Sequence, residues 1–279
     1  MKNQIYPCLW FDGKAKEAAE FYCSVFPGTF ITSENPLVVT INSAGQKFMF
    51  LNGGPHFVLN PAISFFVVCE TVEEVDSAWT KLIEGGSVLM PLDKYDWSEK
   101  YGWIQDKFGV NWQLSFGKTE DVGQKFTPTL MFTQHNAGNA EKAIQFYTSV
   151  FGNSSVRGIL RYGANDEDVE GTVKHAQFSL NKYVFMAMDS SMAHHFSFNE
   201  ATSLVVECAT QDEIDYYWEK LSAVPEAEQC GWLKDQFGVS WQIVPEVLEQ
   251  LMSDPARSER VVNAFLQMKK FDIEKLLNA

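Results

Sequence analysis

A chain of 279 residues that is 46% hydrophobic and 21% charged has the balance of a globular protein, with material for two cores. A formal net charge of −14, with no basic run to offset it, excludes a nucleic-acid partner. No apolar run approaches the roughly 20 residues that cross a bilayer; the N-terminus MKNQIYPCLWF lacks the plan of a signal peptide; and five cysteines without CxxC spacing point to a reducing cytoplasm.

In chain order, IYPCLWF at 5–11 reads as a buried strand. Gly13 to Phe26 reads as a helix, since Ala15, Ala18, Tyr22 and Val25 make one apolar stripe. Three strand-like runs follow over 30–52. Residues 63–70, ISFFVVCE, form a strong β run, and Thr71-x-x-Glu74 then opens a helix as a capping box. Strands are predicted near 87–91, 102–106 and 110–116, with an aromatic loop, PLDKYDWSEKY, at 91–101. The order β-α-β-β-β thus occurs twice in residues 1–118.

The pattern then repeats. Residues 119–127 are polar and read as a linker, and residues 128–246 restart the order. AAEFYCSVFPG at 18–28 is answered by AIQFYTSVFGN at 143–153, and HFVLNPAIS at 56–64 by HFSFNEATS at 195–203. GWIQDKFGVNWQ at 102–113 is answered by GWLKDQFGVSWQ at 231–242, with eight of twelve positions identical. Each of these last segments reads as strand, turn, strand: Asp106 and Asp235 bond turn amides, Gly109 supplies a positive φ, and Val110, Trp112 and Leu114 alternate with Asn111, Gln113 and Ser115. The second copy lacks part of the aromatic loop and carries a polar insert, GANDEDVEG, at 163–171. Residues 247–279 read as a helical tail. Asp254-Pro255 is its N-terminal signal, and Val261, Ala264, Phe265, Met268 and Phe271 stripe one face. Such a tail is expected to pack on the chain itself.

Four β-α-β-β-β units in two pairs resemble the vicinal oxygen chelate superfamily, which includes glyoxalase I and extradiol dioxygenases. Within it the chain closely resembles the PhnB-like family, often labelled 3-demethylubiquinone-9 3-methyltransferase domain proteins. The carriers are PCLWF with AAEFYCSVFPG, NEATSLVVECATQDEIDYYWEKL, CGWLKDQFGVSWQIVP and AFLQMKKFDIEKL. The resemblance implies an α+β fold of two tandem domains, 1–118 and 128–246. Each would be a cupped eight-stranded mixed sheet of paired units with helices outside. It also implies metal-ligand positions near Pro7 and Pro128, near Ala62–Ile63 and Ala201–Thr202, and at Gln113 and Gln242. Proline carries no donor, and a neutral amide is a poor anchor for a hard cation, so no metal is expected. No glycine-rich strand-to-helix loop offers a methyl donor a site, and no cofactor is expected.

The candidate ligand-binding residues are His56, Trp103, Gln113, His195, Trp232, Gln242 and Cys230. The repeated histidines precede strands at a cavity mouth, the tryptophans could wall a cavity for a flat ligand, and Cys230 stands where the first copy has Tyr101. The expected function is binding of a small organic molecule without the superfamily metal; the alternative is a glyoxalase, dioxygenase or methyl-transfer enzyme. The tandem chain is expected to form an internal pseudo-dimer, with a further homodimer left open.

Overall fold

The computed structural model describes residues 4–279. It is an α+β fold whose strands lie in two mixed sheets, of seven and eight strands among the described residues. By contact the chain falls into two compact units. The larger is Pro7–Thr202, and the smaller joins Ser203–Ala279 to the residues up to Tyr6.

The larger unit holds β1 (Ile5–Phe11, from Pro7 onward), α1 (Ala15–Val25), β2 (Phe30–Glu34), β3 (Val38–Ser43) and β4 (Gln46–Asn52). β5 (Ile63–Cys69), α2 (Val72–Leu82), β6 (Ser87–Tyr95), β7 (Ser98–Gln105) and β8 (Asn111–Phe116) follow. After the one-turn α3 (Thr119–Val122), the third repeat supplies β9 (Phe126–Phe132), α4 (Ala140–Val150), β10 (Ser155–Arg161), β11 (Val173–Leu180) and β12 (Tyr183–Asp189). Cys8–Phe11 run parallel to Met49–Asn52, and β2, β3 and β4 form an antiparallel meander.

The eight-stranded sheet has the order β10-β11-β12-β9-β5-β8-β7-β6. At its centre β5 and β9 pair antiparallel, Ile63 opposite Leu130 and Val67 opposite Phe126. Parallel pairs flank them, β5 with β8 and β9 with β12. The sheet therefore joins strands from both sides of residues 119–127, the expected linker. That stretch does not separate two sheets, and Phe126 and Thr127 within it are already strand. The physical reason is the edge: β5 and β9 each open a unit with one side of the ladder unfilled, and pairing fills both.

Period-two alternation sorts each strand into two faces. Phe65, Val67, Ile104, Trp112 and Leu114 pack with Val75, Ala78 and Leu82 of α2 in the buried core. Tyr22 of α1 and Phe26 just past its end join them, with ring centroids 5.2 and 5.1 Å from Trp112. Among the described residues the other face carries no helix stripe. One expectation is corrected here: residues 91–101 are not a loop. β6 and β7 continue through them as a hairpin with register shifts, Tyr95 pairing with Ser98 around Asp96-Trp97. Tyr95, Trp97 and Tyr101 favour extended backbone, and their ring contacts hold it so.

Both capping boxes form, shifted by one residue. Thr71 Oγ1 accepts from Glu74 N–H at 3.1 Å, and the Glu74 carboxylate accepts from Glu70 N–H at 2.9 Å. Thr210 and Glu213 repeat this, with Ala209 as the backward donor.

The smaller unit holds β13 (Thr202–Cys208, from Ser203), α5 (Gln211–Leu221), β14 (Trp232–Lys234) and β15 (Ser240–Pro245). β13 runs parallel to β15, and β14 pairs antiparallel with it. Gln4 accepts from Glu207 N–H at 3.0 Å, and the Tyr6 phenol donates to the Glu207 carboxylate at 2.9 Å. The tail comprises α6 (Val247–Ser253), α7 (Ser258–Phe265) and α8 (Ile273–Leu277). It docks on its own unit: Cys230 N–H donates to Met268 O and Gly231 N–H to Lys269 O, while Gln211 bonds Phe271 O and Ile273 N–H. Asp254 caps a turn at Ala256 rather than the helix, which starts at Ser258. No helix of the described residues is long and apolar enough to cross a membrane.

Candidate functional site

The helix-free face of the eight-stranded sheet concentrates the chain's unusual chemistry. Register places Trp103 opposite Gln113, Gln113 opposite Phe66, and Phe66 opposite Thr127, so four side chains form one row across β7, β8, β5 and β9. Asn111 lies two residues before Gln113 and so shares the face. Tyr101, Trp103 and Met131 form a buried cluster, with Phe66, Met90, Tyr95, Met188 and Phe196 packed against it and partly exposed. The β6–β7 hairpin brings Trp97 over Tyr95 at 4.9 Å between ring centroids, and Trp97 remains 63% exposed.

Gln113 is engaged at both ends. Its Nε2 donates to Ser64 Oγ at 2.7 Å, and its Oε1 accepts from the Tyr101 phenol at 2.7 Å. Burial, and then the neighbouring Tyr95, push the Tyr101 phenol well above its ordinary value, so it stays a donor. Three other buried polar atoms of the described residues have no partner: Trp103 Nε1, Asn111 Oδ1 and Thr127 Oγ1. Their residues are 8%, 1% and 0% exposed. Each such group costs about 1–3 kcal/mol when left without a partner, and native folds leave few of them. All three sit on the one face.

Asp106 belongs to the opposite face. Its carboxylate accepts from Phe108 and Val110 N–H at 2.8 and 3.0 Å, which is the expected turn role. It also accepts from Trp112 Nε1 and the Tyr22 phenol, both at 2.8 Å, making it a core polar hub. Asp235 repeats the contacts to Phe237, Val239 and Trp241.

The remaining predicted residues do not gather on this face. His56 and His195 are both exposed. The asparagines beside them do the bonding: Asn60 Nδ2 donates to Ser197 O at 3.0 Å, and Asn199 Nδ2 donates to Val58 O at 2.9 Å. The histidine nearest the aromatic cluster is His194, its ring 4.8 Å from that of Phe196 and its Nε2 2.8 Å from Ser190 Oγ. Residue type alone could not separate it from His195, the neighbour that the shared repeat singled out. In the smaller unit Trp232 lies opposite Gln242, whose Nε2 donates to Ser203 Oγ at 2.9 Å. Cys230 faces the tail, Sγ 3.6 Å from Phe265 O, and burial raises its thiol pKa. The structure thus brings Trp103 and Gln113 together with Tyr101, Ser64, Asn111 and Thr127, which the sequence reading left aside.

The donor set does not fit the divalent metal that the superfamily resemblance implies. Gln113, Ser64 and Thr127 are neutral, and no cluster of three His, Cys, Asp or Glu occurs among the described residues. The strand-to-helix loops at 12–14, 70–71, 133–139 and 209–210 hold only Gly13 and Gly138 between them, which does not fit a glycine-rich nucleotide loop.

The profile of the family described as 3-demethylubiquinone-9 3-methyltransferase matches residues 3–115 and again 124–244. A PhnB protein from Bacillus cereus, provisionally described as such a methyltransferase, is 39% identical over 40% of this chain and 98% of that one, with a TM-score of 0.38. Glyoxalase I from Zea mays is 12% identical over 90% of this chain and 96% of that one, with a TM-score of 0.58. A Bacillus subtilis protein provisionally described as a dioxygenase is 9% identical over 96% of this chain and 91% of that one, with a TM-score of 0.52. At these identities the last two establish a shared fold and nothing more. No curated protein matches.

Proposed function

Because the chain belongs to the 3-demethylubiquinone-9 3-methyltransferase family, in two tandem copies, and yet fits neither a divalent metal nor a glycine-rich cofactor loop, we propose that it binds a small organic molecule on the helix-free face of its eight-stranded sheet. The observation that carries this reading is the set of three unpartnered buried atoms, Trp103 Nε1, Asn111 Oδ1 and Thr127 Oγ1, on one aromatic-walled face. A mostly apolar wall carrying a few polar groups is the usual make-up of a small-molecule site. The Gln113–Ser64–Tyr101 chain fixes the floor, and the Tyr95–Trp97 hairpin supplies an exposed aromatic edge beside it.

A compound library screened by melting temperature tests it. Binding at a hundredfold excess over Kd stabilises by about 2.7 kcal/mol. The expected result is a rise for at least one compound class that falls away in Trp103→Phe. A flat response to every class defeats the reading.

The family description favours methyl transfer as a second reading. Calorimetric titration with a methyl donor tests it directly; measurable heat of binding would bring that reading forward. The β5–β9 pairing supports the second repeat as an internal partner for the first, and a monomer by sedimentation is the expected result.

A further inference from the structure

We propose that residues 192–196 form a strap that opens and closes over the helix-free face, with Phe196 as its cover and Thr133 and Gln134 as its latch. What it admits rests on the small-molecule reading above. Residues 190–201 join β12 to β13 without helix or strand. Both ends are fixed. Ser190 N–H donates to Phe132 O at 2.9 Å, and the Ser191 N–H and hydroxyl donate to the Asp168 carboxylate at 3.0 and 2.6 Å. At the far end Asn60 Nδ2 donates to Ser197 O, and the Phe198 ring lies 5.0 Å from that of Phe132. Between these ends Thr133 Oγ1 donates to Phe196 O at 2.7 Å, and Gln134 Nε2 to His194 O at 3.1 Å. His194 Nε2 also meets the Ser190 hydroxyl of the fixed end at 2.8 Å. Gln134 holds its bond from a φ of +53°, a strained backbone for a residue with a side chain, so releasing the latch relieves strain. Phe196, partly exposed, packs against the cluster of Tyr101, Trp103 and Met131.

The first repeat shows the same segment sealed. FMFLN at 48–52 answers FMAMD at 185–189, Phe57 answers Phe196, and Trp10 answers Met131. The last pair is equivalent in space as well: Trp10 N–H donates to Ala201 O and Met131 N–H to Ala62 O, both at 2.8 Å. Trp10 Nε1 donates to Gly54 O at 2.7 Å, and Phe57 meets the indole edge-on at 5.1 Å between centroids. A Cβ at Gly53 would overlap the indole, so glycine is what lets the ring lie there. In the second repeat Ser190 and Ser191 replace Gly53 and Gly54, and an unbranched, adaptable methionine replaces the indole. Phe57 follows Asn52 by five residues, whereas Phe196 follows Asp189 by seven. The longer segment has slack, and the ring that pins its counterpart is gone. Phe57 is therefore a fixed plug and Phe196 a cover that can lift.

Indole hydrogen exchange in the full chain with labelled tryptophan tests this without a ligand. Trp103 and Trp112 lie on opposite faces of one sheet. The Trp103 N–H is buried and unpartnered, so its exchange waits only on solvent reaching it. The Trp112 N–H is bonded to Asp106 in the core and waits on unfolding. The two signals are assigned by their loss in Trp103→Phe and Trp112→Phe, and the ratio of their rates reports strap opening. In wild type, low urea is expected to leave the Trp103 rate unchanged and to raise that of Trp112. Phe196→Ala is expected to raise the ratio at least tenfold. Thr133→Val, which removes one latch donor, is expected to raise it about fivefold. Phe57→Ala is expected to leave it unchanged. Equal urea dependence of the two indoles in wild type overturns the strap, whatever the variants do. So does a ratio that stays constant in Phe196→Ala and Thr133→Val, which makes Phe196 ordinary packing. A rise in Phe57→Ala as large as in Phe196→Ala overturns the contrast between the repeats. A strap that opens beside a flat compound library leaves this inference standing and defeats the ligand reading alone.

Discussion

The Tyr22 phenol donates to the Asp106 carboxylate at 2.8 Å, linking α1 to a turn 84 positions away. Trp112 and two turn amides bond the same carboxylate. Asp106→Asn keeps the shape but turns an N–H toward groups that themselves donate. It is expected to cost about 3 kcal/mol, and Tyr22→Phe about 1 kcal/mol. Burial raises the Asp106 pKa above its ordinary 3.8 and outweighs the four hydrogen bonds that lower it. Its contribution is therefore full below 3.8 and declines as pH rises through the folded value. Urea midpoints should show a wider gap between wild type and Asp106→Asn at pH 4 than at neutrality. A gap that closes toward pH 4 would contradict this.

The Tyr101–Gln113 bond has the same sign of pH dependence, moved to the alkaline end. Burial raises the phenol above 10.0, so its contribution is present below that pH and is lost as pH rises beyond it. Tyr101→Phe is expected to cost about 1 kcal/mol at pH 8, with a smaller difference above pH 10. Absorbance titration should show one phenol that ionises only late in wild type and is missing from the variant. An early ionisation there would place Tyr101 in solvent.

Asn60 and Asn199 exchange bonds between their loops and also accept from Ala62 and Ala201 N–H, both at 2.9 Å. Alanine at either position should cost about 1–2 kcal/mol, and the double variant should depart from additivity because the bonds share one clasp. Additive losses would mean two independent turns.

Gly231 has a φ of +83°, and a Cβ there would collide with the Phe271 ring of the tail. Gly45, at +78°, has open space. Both alanine variants carry the backbone strain of about 1 kcal/mol, so the excess loss in Gly231→Ala measures tail docking. Phe271→Ala in the same chain should recover part of that excess. Equal losses at the two glycines would show that the tail contributes little.

Chelation is expected to leave the melting temperature unchanged, since Gln113 and its neighbours are neutral ligands. A fall on adding chelator, reversed by one divalent ion, would restore the superfamily's metal chemistry.

The sequence by itself determined the repeats. Trp103, Asp106, Gly109 and Trp112 recur as Trp232, Asp235, Gly238 and Trp241 because strand periodicity and turn chemistry are local constraints. It also placed Thr71 and Thr210 at helix starts. Only the tertiary structure decided that β5 and β9 share a sheet, since edge pairing joins backbones irrespective of side-chain order. It likewise decided that residues 91–101 extend a hairpin, and that Trp103, Asn111 and Thr127 leave three polar atoms unmet on one face. Hydrogen-bond satisfaction depends on which strands lie side by side, and that is a property of the assembled sheet, invisible in any single segment.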